Sequence, residues 1–144
     1  MGEDAADRRA ERSEQAAYHL AAQQRRSEEE SAKAQVLIDR FVARAKEAGL
    51  ATEELRARPW SGRGQYRTGV VGWYLRRDRS LGVGVDGGYY ALVVAPERFG
   101  RWRRVRLAPT APPLQVGRGA RDGESVALDV LLETRLHWSD APRS

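Results

Sequence analysis

At 144 residues the chain has room for one domain and an appendage, and a hydrophobic fraction of 41% is slightly low for a chain that is all core. The lack of cysteine excludes disulfides, thiolate chemistry and cysteine-rich zinc sites, and no segment approaches the ~18 apolar residues of a membrane span, so the expectation is a cytoplasmic protein with no membrane contact. The net charge of +5 is carried almost wholly by arginine, Lys33 and Lys46 being the only lysines.

Arginine abundance alone is weak evidence, because GC-rich coding drifts toward Arg, Ala and Gly. Its distribution says more. Residues 1 to 31 hold five arginines against eight acids, net −3, whereas residues 55 to 107 hold twelve arginines against Asp78, Asp86 and Glu97, net +9. That asymmetry points to an anionic partner or to contact between the two halves.

From Asp4 to Ala48 there is no Gly or Pro and the composition favours helix. In residues 35 to 48, Val36, Leu37, Ile38, Phe41, Val42, Ala45 and Ala48 recur at helical spacing, with Gly49 as the stop, which predicts a helix docked on a core. In residues 1 to 31 the only large apolar side chains beyond the initiator are Tyr18 and Leu20. This part reads as a polar extension, helical or disordered, with no sustained heptad seam.

Residues 50 to 68 read as a connector containing a short helix at Thr52 to Ala57 capped by Thr52. A sheet over residues 69 to 116 follows. "TGVVGWYLR" alternates as a strand, and "LGVGV" and "GYYALVV" flank Asp86-Gly87, the signal for a two-residue type I′ hairpin. That turn pairs Val83 with Tyr90 and Leu81 with Leu92, and lays Tyr89 over Gly84, so the glycines are expected to be structural. "RVRLAP" predicts a fourth strand and "PPLQV" a fifth at the edge. A helix over about 128 to 137 closes the chain, with Asp129 as a cap; Val126, Leu128, Val130 and Leu132 fit a strand equally well, which leaves its start open. The 35–48 helix and this one are the two covers available for the hairpin's two faces. The predicted fold is α+β: an antiparallel meander of three to five strands packed by a long N-terminal and a short C-terminal helix, within a domain spanning residues 32 to 144.

Catalysis finds few parts. His19 and His137 have no partner at triad or metal-ligand spacing, and no HExxH, GxSxG or paired-carboxylate signature occurs, so no enzyme, metal or cofactor is expected. "VGRGARDGES" (116 to 125) superficially resembles a phosphate cradle, but its spacing is neither the Walker nor the dinucleotide pattern, and an ordinary loop at 117 to 123 is the reading. The strongest hint is arginine interleaved with aromatics in "RARPWSGRGQYR" and "RFGRWRRVR". Arginine neutralises phosphates and aromatic faces stack on unpaired bases, which makes Arg63, Arg67, Arg101, Trp102, Arg103, Arg104 and Arg106 candidate contacts to an anion or a single-stranded nucleic acid. The competing expectation, ranked first, is a non-enzymatic protein-interaction or self-associating module in which the acidic helix and the basic sheet half meet a partner.

The run "TGVVGWYLRRDRSLGVGVDGGYYALVV" with "PPLQVGRGARDGESVALDVLLETRL" resembles an uncharacterised family of small proteins encoded in GC-rich, actinobacterial-type genomes, on the pattern WYLRxDRSxGVGxDGxYY. The likeness covers residues 35 to 136 and implies no activity and no site residue, since the family has no assigned function.

Overall fold

A computed structural model describes residues 2–61, 64–95, 104–117 and 125–138 of the chain. The elements in order are α1 (Gly2–Glu47), β1 (Glu53–Pro59), β2 (Tyr66–Tyr74), β3 (Leu81–Gly84), β4 (Tyr89–Ala91), β5 (Val93–Val94), β6 (Gln115–Val116), β7 (Val126–Ala127) and α2 (Leu128–Leu136). The fold is α+β, a long first helix and a short last one about a mostly antiparallel sheet in the order β4-β3-β2-β1-β5, with β5 parallel to β1. No helix among the described residues is long and apolar enough to cross a membrane.

The two ends of that strand order are successive stretches of one segment, separated by Leu92 alone. The Leu92 N–H donates to Ser80 O on the β3 side (2.9 Å), while its carbonyl accepts from Arg58 N of β1 (2.9 Å). The sheet therefore closes on itself and acquires an inside. Leu55, Tyr74, Tyr90 and Leu92 fill that inside, with Val70 and Leu107 packed against them. So small an interior leaves no room for a side chain at every inward position. A Cβ built at Gly82 would lie 2.6 Å from Leu55 Cδ1, and one at Gly84 3.3 Å from the Tyr90 ring. The glycines are structural, as expected, but the ring over Gly84 belongs to Tyr90.

That exchange follows from the turn. Gly84 N donates to Gly88 O (2.9 Å), so the loop is Val85-Asp86-Gly87, with Gly87 alone in the left-handed region (φ +90°) and Asp86 Oδ1 accepting from Gly88 N (3.0 Å). A two-residue type I′ turn would also force Asp86 to positive φ; the three-residue loop confines that cost to a glycine. The pairing becomes Val83↔Tyr89, Gly82↔Tyr90 and Leu81↔Ala91, one residue from the predicted register. A slip of one moves every side chain to the other face. Tyr89 thereby joins the outer core and Tyr90 the inner.

Both helices lie on the outer face, rather than one on each face. Ala34, Ile38, Phe41 and Ala45 of α1 and Leu128 and Leu132 of α2 bury Trp73, Leu75, Val83 and Tyr89. Phe41 meets Trp73 edge to face at 5.8 Å, and Trp73 Nε1 donates to Leu50 O (3.3 Å). Gln35 Nε2 reaches from α1 to Gly87 O in the β3–β4 loop (2.8 Å). Val36 and Ala48, assigned to the apolar face by spacing, are exposed. The docked part of α1 continues without a break into the polar extension. Its 46 residues amount to about 69 Å, and residues 3 to 20 are exposed throughout.

Four further expectations are corrected. Residues 53 to 59 form β1 instead of a capped helix: their burial alternates, Leu55, Ala57 and Pro59 in and Arg56 and Arg58 out, a period of two that short helix propensity could not outweigh once β2 supplied hydrogen bonds. "RVRLAP" is not a strand, although Val105 is buried and Arg104 and Arg106 face out as foreseen; Arg104 is bridged to Arg67, Leu107 packs on the inner core, and Thr110 just after the run is bridged to Tyr89. "PPLQV" supplies β6, which pairs with β7 in a separate two-stranded ribbon. Both readings of the C-terminal segment are partly realised, since the chain is extended through Ala127 and helical from Leu128. Asp129 caps nothing at the N-cap position, which Ala127 occupies; its Oδ1 accepts from Val130 N (2.8 Å).

Candidate functional site

Opposite the bend in β1, the register shifts: Glu54 pairs with Val71 but Arg56 pairs with Arg67, so β2 carries two extra residues there. Gly69 sits in this bulge at φ +74°, a conformation that other residues adopt only at a cost. Side chains take up polar groups freed by the bulge. Thr68 Oγ1 donates to Leu55 O (2.6 Å) and accepts from Val70 N (3.1 Å), and Arg56 N donates to the Tyr74 hydroxyl (2.9 Å).

The bulge fixes where Arg67 stands. It is paired with Arg56 on one side and bridged to Arg104 on the other, so three arginines form one row across three adjacent segments. Neighbouring segments lie about 4.8 Å apart and directly paired residues project from the same face, so three guanidinium groups are crowded on exposed backbone. Only Arg67 is neutralised. It grips Glu54 with Nε to Oε2 at 3.1 Å and Nη2 to Oε1 at 2.9 Å, and the hydrogen bond from Arg67 holds the Glu54 carboxyl below its ordinary value. Arg56, Arg104 and Arg106 are exposed and form no ion pair with a described residue.

A cleft of about 520 Å³ runs along the row, lined by Glu54, Arg67, Thr68, Gly69, Arg104, Val105 and Arg106. Three arginines against one glutamate leave its lining with a charge of +2, and Arg56 adds a further cation in the row beside it. Arg58 on β1 and Trp60 just past its end continue the exposed side beyond Arg56, and Trp60 is 68% exposed. A surface of this kind can hold phosphate groups at strand spacing and offer a flat apolar face beside them.

Of the residues singled out from sequence, Arg67, Arg104 and Arg106 meet at this cleft; Arg63, Arg101, Trp102 and Arg103 lie outside the described residues, as does most of the 117–123 loop. Glu54 was missed as a site residue, and Arg56, although it opens the interleaved run "RARPWSGRGQYR", was not singled out. Finding them required reading residues 53 to 59 as a strand, and the alternation of Leu55, Ala57 and Pro59 with charged residues was the available signal. Among the described residues no group of three or more His, Asp or Glu side chains is placed to hold a metal ion.

No family model matches the chain, and neither a curated protein nor a solved structure does.

Proposed function

We propose that the protein binds single-stranded nucleic acid on the arginine face. The observation that carries the reading is the register that sets Arg56, Arg67 and Arg104 side by side, with an exposed tryptophan four residues further along from Arg56. Arginine supplies sequence-independent affinity through phosphate contacts, and stacking of unpaired bases on Trp60 favours a single strand over a duplex, whose bases are already stacked.

The test is fluorescence anisotropy with a labelled oligothymidylate and a duplex of equal length over a salt series. Three to four phosphate contacts give a log–log salt slope of about −2 to −3 for the single strand. Replacing Arg104 and Arg106 together by glutamine should make that slope shallower by about 1.4, and Trp60→Ala should weaken the single strand about tenfold while leaving the duplex alone. Equal binding by wild type and the double variant overturns the reading.

A second reading is favoured by one feature, the exposed first part of α1. A helix that is polar on all sides has little of its own to bury and commonly spans toward a partner. Light scattering on the same samples separates the two. A constant monomer mass with salt-dependent oligonucleotide binding supports the arginine face, and a nucleic-acid-free dimer supports association through the helix.

A further inference from the structure

A second cleft, sharing no lining residue with the first, lies where the outer face of β3, β4 and β5 passes from under α1. Its volume is about 450 Å³, within the range of small-molecule sites. Leu81, Ala91 and Val93 give it an apolar floor, and Pro113 and Val116 an apolar wall. Two polar groups in it lack partners. Arg76 is half-buried and forms no ion pair with a described residue. Tyr89 is only 6% exposed, but its hydroxyl is the part that reaches solvent, and no described residue forms a hydrogen bond with it.

These two groups bear on one another. Burial pushes the Tyr89 phenol up to about 12 against the opposing charge of Arg76, so at neutral pH the group is an O–H donor facing a cation. Asp78 lies near enough to feel the charge of Arg76 but forms no ion pair with it, its Oδ1 accepting from Ser80 N (3.0 Å) and Ser80 Oγ (2.6 Å). A guanidinium and a hydroxyl, both donors that no described residue engages, suit an oxyanion. The apolar floor suits a hydrocarbon or aromatic body. Glu30 of α1 also lines the cleft and opposes a second negative charge.

We propose that this cleft binds a small organic monocarboxylate with an apolar body, its carboxylate taken by Arg76 and the Tyr89 hydroxyl. The proposal is independent of the nucleic-acid reading.

The experiment is a titration of the full-length ¹⁵N-labelled protein with phenylacetate, with 2-phenylethylamine and inorganic phosphate as comparisons, followed by amide shifts. Phenylacetate should give saturable shifts at Leu81, Tyr89, Ala91 and Val93. The amine carries the ring without the anion and phosphate the anion without the ring, so neither should reproduce them. Arg76→Gln should weaken phenylacetate about tenfold or more, and Tyr89→Phe, which keeps the ring in the core, about fivefold. Absence of saturable shifts at these amides, equal binding of the amine or of phosphate, or undiminished binding by Tyr89→Phe and Arg76→Gln each overturns the proposal.

Discussion

The inner and outer faces of the sheet solve the same packing problem in opposite ways. Outside, large side chains from two helices are brought down onto Trp73, Leu75 and Val83, and order comes from what is added. Inside, closure at Leu92 leaves a space that Leu55, Tyr74, Tyr90 and Leu92 already fill, and order comes from what is left out at Gly72, Gly82 and Gly84. The difference teaches that glycine in a strand has to be judged by what stands across from it. The same residue that weakens an open strand is required where a sheet closes tightly.

The contrast is broken most severely by adding one carbon inside. A Cβ at Gly72 lands on the Val83 carbonyl oxygen, with Gly84 Cα at 2.7 Å and Val83 C at 2.8 Å. Every obstacle is backbone, so no rotamer change relieves it. Gly72→Ala must push β2 from β3 where Gly72 pairs with Gly84 and Trp73 with Val83. The expected loss is about 4 kcal/mol or more, read in urea titration as failure to reach a cooperative native baseline. A variant with wild-type stability would show that the sheet does not close as described.

Removal should be the damaging operation outside. Phe41 is 2% exposed and contributes its edge to the Trp73 ring. Phe41→Ala leaves a cavity between α1 and the sheet and should cost about 3–5 kcal/mol, with Phe41→Leu costing clearly less because most of the volume is kept. Denaturant midpoints of the two variants measure the difference. Equal costs would mean that α1 is held by something other than the packing of this face.

Which parts of this were legible in advance follows from the range of the interactions. The helix over 35–48, the C-terminal helix and the hairpin are written in local periodicity, and Ile38, Phe41, Val83 and Leu132 could be assigned to a core from spacing alone. The hairpin's register was not, because Asp86-Gly87 is compatible with a two-residue and a three-residue loop, and the choice rests on Gly88 and Gly84 meeting across the turn. Closure of the sheet was invisible for the same reason: nothing local says that residues 89 to 94 will pair with β3 on one side and β1 on the other. At the site, arginine and tryptophan were conspicuous by type, and Arg67, Arg104 and Arg106 were selected on that ground. The row itself depends on a bulge at Gly69 and a bridge between segments 37 positions apart, which composition does not encode. Glu54 escaped notice because its role is to neutralise a neighbour that only folding supplies.

The smallest effect concerns how α2 is fastened over the outer face. Arg135 is buried with Nε donating to Tyr74 O (2.7 Å), and the Trp138 ring lies between the guanidinium groups of Arg77 (4.7 Å) and Arg135 (4.4 Å). This clamp does not titrate in the acid range. The ion pair from Arg44 to Glu133 (2.6 Å), with His137 at 3.1 Å on the other carboxylate oxygen, does. The hydrogen bond from Arg44 and then that from His137 hold the Glu133 carboxyl below its ordinary value of 4.5. A carboxylate whose folded value is depressed binds fewer protons in the native state, so its contribution is complete above 4.5 and is lost as the pH falls through the folded value. Because the pair is solvent-exposed, the effect is small and shrinks with added salt. Between neutral pH and the acid limb, Glu133→Gln should therefore flatten the decline of the denaturant midpoint slightly at low salt and leave it unaltered at high salt. Over that same window the protection of amides within residues 128 to 136, measured relative to their intrinsic exchange rate, should fall in the wild type without a matching fall at Leu81 to Gly84. If protection in both regions falls together, α2 is released only with the whole sheet, and the Arg135–Trp138 clamp rather than the ion pair governs its docking.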